Sequence, residues 1–330
     1  MKRLGLIVNP RAGSGTGLKV AREAMGALTA TAVVTGEGEM GAAALEGLSL
    51  SITALSWNQS RGKDRTFTLA QQIAQRDVEA LVVIGGDGTL ADVAWALHDL
   101  TGMPPLLGIG AGTANVGPFI TCQSTDVYRL REARLVTHRV DGLIAGANGN
   151  DLGLGFNDVV LDFTVLATMN GAMTTVSAAE KMKNLNVPRD VEGVWTNGTR
   201  IIKRSARGET LIAQSDQVET VIVGLPDKRF YGKAIAGGVL MSSLVNDPAG
   251  CLVCSHSLVR MKIDLETYRR SEPVVSRYAS LGEGEQIEGW GFRDGAALCA
   301  DGNPLIILSE ADHIQVRVQR GLMKAIRIEL

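Results

Sequence analysis

Ala80-Leu81-Val82-Val83-Ile84 is an apolar run without a polar break, and it leads straight into Gly85-Gly86-Asp87-Gly88-Thr89. A short run of this kind, closed by glycines, reads as a strand buried on both faces. Such strands belong to parallel sheets covered by helices, which is the tightest constraint the chain carries. Similar runs stand at Leu4–Val8, Thr31–Val34, Ile52–Leu55 and Leu106–Ile109, and helically spaced segments at Leu18–Leu28, Phe67–Gln75 and Ala91–Leu100 alternate with them. The alternation predicts an α/β N-terminal domain over 1–138, a parallel sheet with flanking helices.

Beyond residue 138 the pattern changes. Asp141-Gly142, Asn148-Gly149, Asn197-Gly198 and Asp301-Gly302 are tight-turn pairs. Ile314, Val316 and Val318 alternate with polar residues, as do Ile326, Ile328 and Leu330 after Arg320-Gly321, which predicts antiparallel hairpins. One helix is expected over Thr174–Lys183. Residues 139–330 therefore read as a β-rich C-terminal domain, its last strands free to return to the N-terminal domain. A cleft between two such domains is the default place for a small molecule.

Composition narrows the function classes. The 330 residues hold 33 Lys and Arg against 35 Asp and Glu, a net charge of −2, so neither nucleic acid nor a membrane is expected as the main partner. Aromatic residues are only 4%, too few for a platform that stacks single-stranded bases. The four cysteines form no disulfide framework. The run after Met1-Lys2-Arg3 stops at Asn9-Pro10, short of a secretion signal, and no window is long and apolar enough to span a bilayer. A cytoplasmic location is the expectation.

Three glycine-bearing segments each follow a strand candidate: Asn9-Pro10-Arg11-Ala12-Gly13-Ser14-Gly15, Gly85–Thr89, and Gly108-Ile109-Gly110-Ala111-Gly112-Thr113-Ala114-Asn115. Glycines let the backbone come within hydrogen-bonding distance of an oxyanion, and a helix start adds free N–H groups and a positive dipole end. The Walker A spacing is absent, and Gly13-x-Gly15-x-Gly17 is not the dinucleotide fingerprint. Asp87, a carboxylate among phosphate-binding amides, needs a reason: it holds Mg²⁺, takes a proton from a nucleophile, or caps a helix starting near Thr89.

These residues resemble a known superfamily. Gly85-Gly86-Asp87-Gly88-Thr89 matches the GGDGT signature of NAD kinases, diacylglycerol kinases and sphingosine kinases, and Asn9-Pro10-Arg11-Ala12-Gly13 matches their NPxAG start. Gly155–Val160 is similar to the Asn-Glu/Asp segment of NAD kinases. Ser255-His256-Ser257-Leu258 resembles their Pro-His-Ser-Leu, and Asp301-Gly302-Asn303 their Asp-Gly-Gln. The start of the chain leans toward the ATP-NAD kinase/AcoX branch, named for acetoin catabolism.

The resemblance implies an NAD kinase-like fold and an ATP- or polyphosphate-dependent, Mg²⁺-requiring transfer of phosphate to the 2′-hydroxyl of NAD, a step of NADP biosynthesis. By the same resemblance, Asp87 would be the general base, and Gly86, Gly88 and Thr89 would cradle phosphate. Asn9, Gly13, Gly112, Thr113 and Asn115 would line the donor side, Asn157 and Asp158 would bind the dinucleotide, and the chain would form a homo-oligomer. Two departures keep alternatives open. Gly224–Tyr231 replaces the family's Thr-Pro-Thr-Gly-Ser-Thr-Ala-Tyr before Gly237-Gly238-Val239, which admits an NAD/ATP-binding accessory or sensor protein without turnover. Gly112-Thr113-Ala114-Asn115 resembles the Gly-Thr-Gly-Asn of the diacylglycerol-kinase side, which admits a lipid kinase.

Other groups have plainer readings. Cys251-x-x-Cys254 with His256 offers at most three local ligands, one short of a structural zinc site, and reads instead as a buried strand. Lys228, Arg229 and Lys233 read as solvated loop charges, and Arg129, Arg131 and Arg134 as a solvated helix face.

Overall fold

The computed structural model describes residues 2–57, 63–112, 115, 117–169, 172–226, 240–254 and 276–329. The chain divides into two compact units, residues 1–140 with 321–330, and residues 141–320.

Unit 1 is α/β. Its elements are β1 (Arg3–Val8), α1 (Gly17–Ala27), β2 (Ala32–Gly36), α2 (Ala42–Leu45), β3 (Ser51–Leu55), α3 (Lys63–Ala74), β4 (Ala80–Gly85), α4 (Asp87–Leu97), β5 (Leu106–Gly110) and β6 (Ile120–Gln123). The sheet runs β3-β2-β1-β4-β5, with every pair parallel. All six residues of β4 are buried, as an unbroken apolar run requires. Its core joins Leu6, Val8, Val82 and Ile84 of the sheet to Val20, Ala24 and Met25 of α1.

The order reverses at β1: the chain goes outward to β2 and β3, then returns to place β4 on β1's other side. In open parallel sheets such a reversal splays the loops at the strands' carboxyl ends and leaves a crevice for ligands. Here the crevice lies between the loops after β1 and β4, two of the three glycine segments.

Unit 2 is antiparallel. After β7 (Arg134–Ala147), which contains the chain's crossing between units, come β8 (Asn150–Gly155), β9 (Asp158–Asp162), β10 (Thr164–Met169), β11 (Ala172–Ser177) and α5 (Ala178–Met182). Then follow β12 (Trp195–Ser205), β13 (Gly208–Gln214), β14 (Thr220–Gly224), β15 (Ala249–Cys254), β16 (Ser276–Leu281), β17 (Gln286–Phe292), β18 (Ala297–Ala300), β19 (Asn303–Ile307) and β20 (His313–Glu329). One sheet of the unit runs β13-β12-β17-β20 and the other β16-β15-β14-β9-β18-β19, while β10 and β11 pair as a hairpin. Phe163, Ile201, Val221, Ile287 and Phe292 fill the core.

Several turn and helix expectations are corrected. Asn148-Gly149 and Asp301-Gly302 do turn the chain, with both residues of each pair at positive φ. Asp141-Gly142 instead lies inside β7, and Asn197-Gly198 inside β12 where its pairing with β17 is irregular. Arg320-Gly321 is no hairpin: β20 is continuous, and Gly321 at φ +58° absorbs a local irregularity before Ala325 pairs parallel with Leu106 of β5. The helix expected over Thr174–Lys183 is a strand as far as Ser177. The Ser177 Oγ accepts the Glu180 N–H (3.3 Å) and starts the short α5. Cys251 and Cys254 are buried in β15.

Candidate functional site

Unit 1 brings the three glycine loops together at the carboxyl ends of β1, β4 and β5. Asn9 crosses the switch point: its Nδ2 donates to Thr89 Oγ1 (2.9 Å) and its Oδ1 accepts the Arg11 N–H (3.0 Å). Its backbone N–H donates to Ile84 O (2.9 Å) and its carbonyl accepts the Ala12 N–H (3.0 Å). Asn9, expected to line the donor side, thus ties the first loop to the second. Gly13 lies in the 3-10 turn Ala12–Gly15 that follows.

Helix α4 starts at Asp87, one residue earlier than a cap at Asp87 would need. Gly86 is the N-cap, and no side chain caps the helix. The capping role weighed for Asp87 is therefore not the one it plays. Its carboxylate sits in the first helical turn, where the dipole favours an anion, and its Oδ1 accepts the Gly117 N–H (3.0 Å). A Cβ on Gly117 would lie 2.7 Å from that oxygen, so glycine is required there for the carboxylate to reach the backbone.

The glycines divide by cause. A Cβ on Gly112 would lie 2.8 Å from the Gly86 Cα, so these two glycines let the second and third loops touch. At Gly88 an added Cβ meets nothing within 4 Å, and φ is not positive. Among the described residues none gives Gly88 a reason to lack a side chain, whereas a ligand close against the start of α4 would.

Asn115 is a clasp. Its Oδ1 accepts the Gly112 N–H (2.9 Å), and its Nδ2 donates to Gly112 O (2.8 Å) and to Gln123 Oε1 (3.1 Å). Gln123 Nε2 returns a bond to Asn115 O (2.9 Å). The side chain expected to line the donor side thus also shapes the loop. Gln123 and Gly117 escaped the sequence reading. Gly117-Pro118 was a usable turn signal, and Gln123 offered none. Thr113 lies outside the described residues, as do Ala114, Asp227–Tyr231, Lys233, Gly237–Val239 and Ser255–Leu258.

In unit 2, Asn157 and Asp158 stand at the β8–β9 turn. The Asp301 carboxylate receives three successive amides: Phe156 N to Oδ2 (2.8 Å), and Asn157 N (2.8 Å) and Asp158 N (3.1 Å) to Oδ1. Leu225 N donates to Asn157 O (3.0 Å), so both backbone groups of Asn157 are committed. Among the described residues no partner engages its side-chain amide. Burial, and secondarily the nearby Asp301 charge, pushes the Asp158 carboxyl up to about 7.

The donor chemistry of unit 1 suits a magnesium nucleotide. Backbone amides, a hydroxyl and a glycine with open space before it suit phosphate oxygens. Asp87 is one carboxylate, and among the described residues no three His, Cys, Asp or Glu side chains form a metal cage. Mg²⁺ needs no such cage, because it is commonly held by one or two carboxylates together with substrate phosphates.

Residues 3–119 match the family described as the diacylglycerol kinase catalytic domain. Over those residues the chain is similar to a kinase catalytic domain of that family. A protein from Archaeoglobus fulgidus, itself uncharacterised, is 27% identical over 328 residues, 98% of each chain. The structure of a candidate diacylglycerol kinase from Bacillus anthracis is 16% identical, covers 99% of this chain and 97% of its own, and has a TM-score of 0.54; the likeness is one of fold. Yeast NADH kinase complexed with NADH covers 100% of this chain and 84% of its own at 15% identity, with a TM-score of 0.49, too low to carry an argument. Among the described residues no helix is long and apolar enough to cross a membrane.

Proposed function

We propose that the chain is a phosphotransferase that moves the γ-phosphoryl group of ATP, or a terminal phosphoryl group of polyphosphate, to a hydroxyl, with NAD as acceptor. The observation that carries the proposal is the start of α4: a first-turn carboxylate beside a glycine with open space at its Cβ position, at the switch point of a parallel sheet. The bound magnesium nucleotide supplies the phosphoryl group and neutralises charge. Gly86, Gly88 and Thr89 hold phosphate oxygens through amides and a hydroxyl. Asn9 fixes the Thr89 hydroxyl, and Asn115 with Gln123 fixes the third loop.

Asp87 would help hold Mg²⁺ or accept the proton of the attacking hydroxyl at its carboxylate. Its bond to the Gly117 N–H sets that carboxylate's orientation. Phosphoryl transfer asks little more of a protein than positioning and charge. Asn157 and Asp158 are assigned to the acceptor, on the strength of the side-chain amide that the β8–β9 turn presents.

A lipid alcohol is the second reading, favoured by the match of residues 3–119 to the diacylglycerol kinase catalytic domain. The test incubates the purified chain with ATP and Mg²⁺ and, separately, NAD, NADH and diacylglycerol in mixed micelles, and reads phosphorylated product. NADP or NADPH supports the first reading, and phosphatidic acid the second. Nucleotide binding with no product from any acceptor would make the chain a binding or sensor protein.

A further inference from the structure

Asp301 and Gly302 form the turn between β18 and β19, at φ +46° and +73°. Two-residue hairpins of this kind accept Asn-Gly as readily as Asp-Gly. The same unit shows it: Asn148-Gly149 turns β7 into β8 at φ +54° and +78°. Turn geometry therefore does not explain why residue 301 is an aspartate.

Its partners do. Both carboxylate oxygens accept, and three of the donors are backbone N–H groups of consecutive residues, Phe156, Asn157 and Asp158. An asparagine would set an NH₂ group against one of those amides, donor facing donor. The Asp301 N–H meanwhile donates to Asp158 O (3.0 Å), so the two turns grip each other in both directions. Three successive amides aimed at one point make a concavity that ordinarily takes an external anion. Here an internal carboxylate fills it and fixes the backbone from which the Asn157 and Asp158 side chains spring.

We propose that Asp301 is a positioning residue for acceptor recognition: its carboxylate holds the Phe156–Asp158 backbone in the form that presents Asn157 and Asp158. This rests on the reading of those two residues as the acceptor side. Asp301→Asn is the sharpest probe, because it keeps size and turn preference while removing the charge and replacing one acceptor oxygen with a donor.

The experiment measures NAD and Mg-ATP binding to the full chain by calorimetry, together with amide hydrogen exchange. In Asp301→Asn the NAD dissociation constant is expected to rise at least tenfold, while that of Mg-ATP stays within about twofold. Amides 156–158 are expected to exchange at least tenfold faster, with 86–90 unchanged. A general loss of structure would move both ligands and both segments together. NAD binding equal to wild type in the variant overturns the proposal. So does a wild-type chain whose amides 156–158 exchange at unprotected rates, a result that needs no folded variant. A wild-type chain that protects these amides yet binds no dinucleotide overturns the acceptor reading instead, and reduces Asp301 to an anchor of the turn.

Discussion

Asn9 and Thr89 lie eighty residues apart and meet across the switch point of the parallel sheet, Nδ2 to Oγ1 at 2.9 Å. The bond joins the loop after β1 to the start of α4, so it holds the two walls of the crevice in register. Asn9→Ala removes it along with the bond from the Arg11 N–H. The expected cost is about 1 kcal/mol of stability per bond, with a several-fold higher Mg-ATP dissociation constant. Calorimetry of the variant checks both, and unchanged nucleotide affinity would separate Asn9 from the site.

Gly88 and Gly112 should respond in opposite ways. Gly112→Ala drives a methyl group into the Gly86 Cα and should destabilise by about 1–3 kcal/mol, the usual cost of overpacking. Gly88→Ala has open space and a helical position, so it should leave the fold unharmed or stabilise it by up to about 1 kcal/mol. It should nonetheless weaken Mg-ATP binding. Thermal melts with and without nucleotide decide this, and a Gly88→Ala chain with full nucleotide affinity would remove the ligand as the reason for that glycine.

Gln123 acts through Asn115. Gln123→Leu leaves the Asn115 carbonyl and amide short of a partner and should loosen the third loop without touching ligand. The expected sign is a raised KM for ATP with kcat little changed. A fall in kcat at unchanged KM would place Gln123 in the chemistry instead.

Asp158 gives the chain a pH signature. Its carboxyl titrates at about 7 in the fold and near the ordinary carboxylate value when unfolded, so between about pH 4 and 7 the native state holds the extra proton. The stability it contributes is full below that window and is lost as pH rises through 7. Asp158→Asn should therefore melt higher than wild type at pH 8 and close to it at pH 4. Parallel melting curves across that range would refute this.

Much of unit 1 was legible because its signals are local. Unbroken apolar runs mark strands buried on both faces, and β4 is buried at every position. The glycine loops stood in plain sight after those strands. What the loops do to one another was not legible, because Asn9 with Thr89 and Asp87 with Gly117 are contacts between distant segments. Asn115 showed the same limit: its clasp on Gly112 and Gln123 could not be read from its residue type. Arg320-Gly321 misled for a related reason. A glycine at positive φ serves a hairpin or an irregular strand equally well, and pairing partners far along the chain choose between them.

The proposed phosphoryl transfer takes place at the start of α4, with Asp87 taking part. The most direct test is single-turnover transfer of the labelled γ-phosphoryl group from ATP to NAD, in wild type and Asp87→Asn. Asparagine keeps an oxygen for the Gly117 N–H, so the melting temperature should hold while transfer falls by about 10²–10⁴-fold, the usual worth of a general base. Wild-type transfer rates in Asp87→Asn would contradict the account.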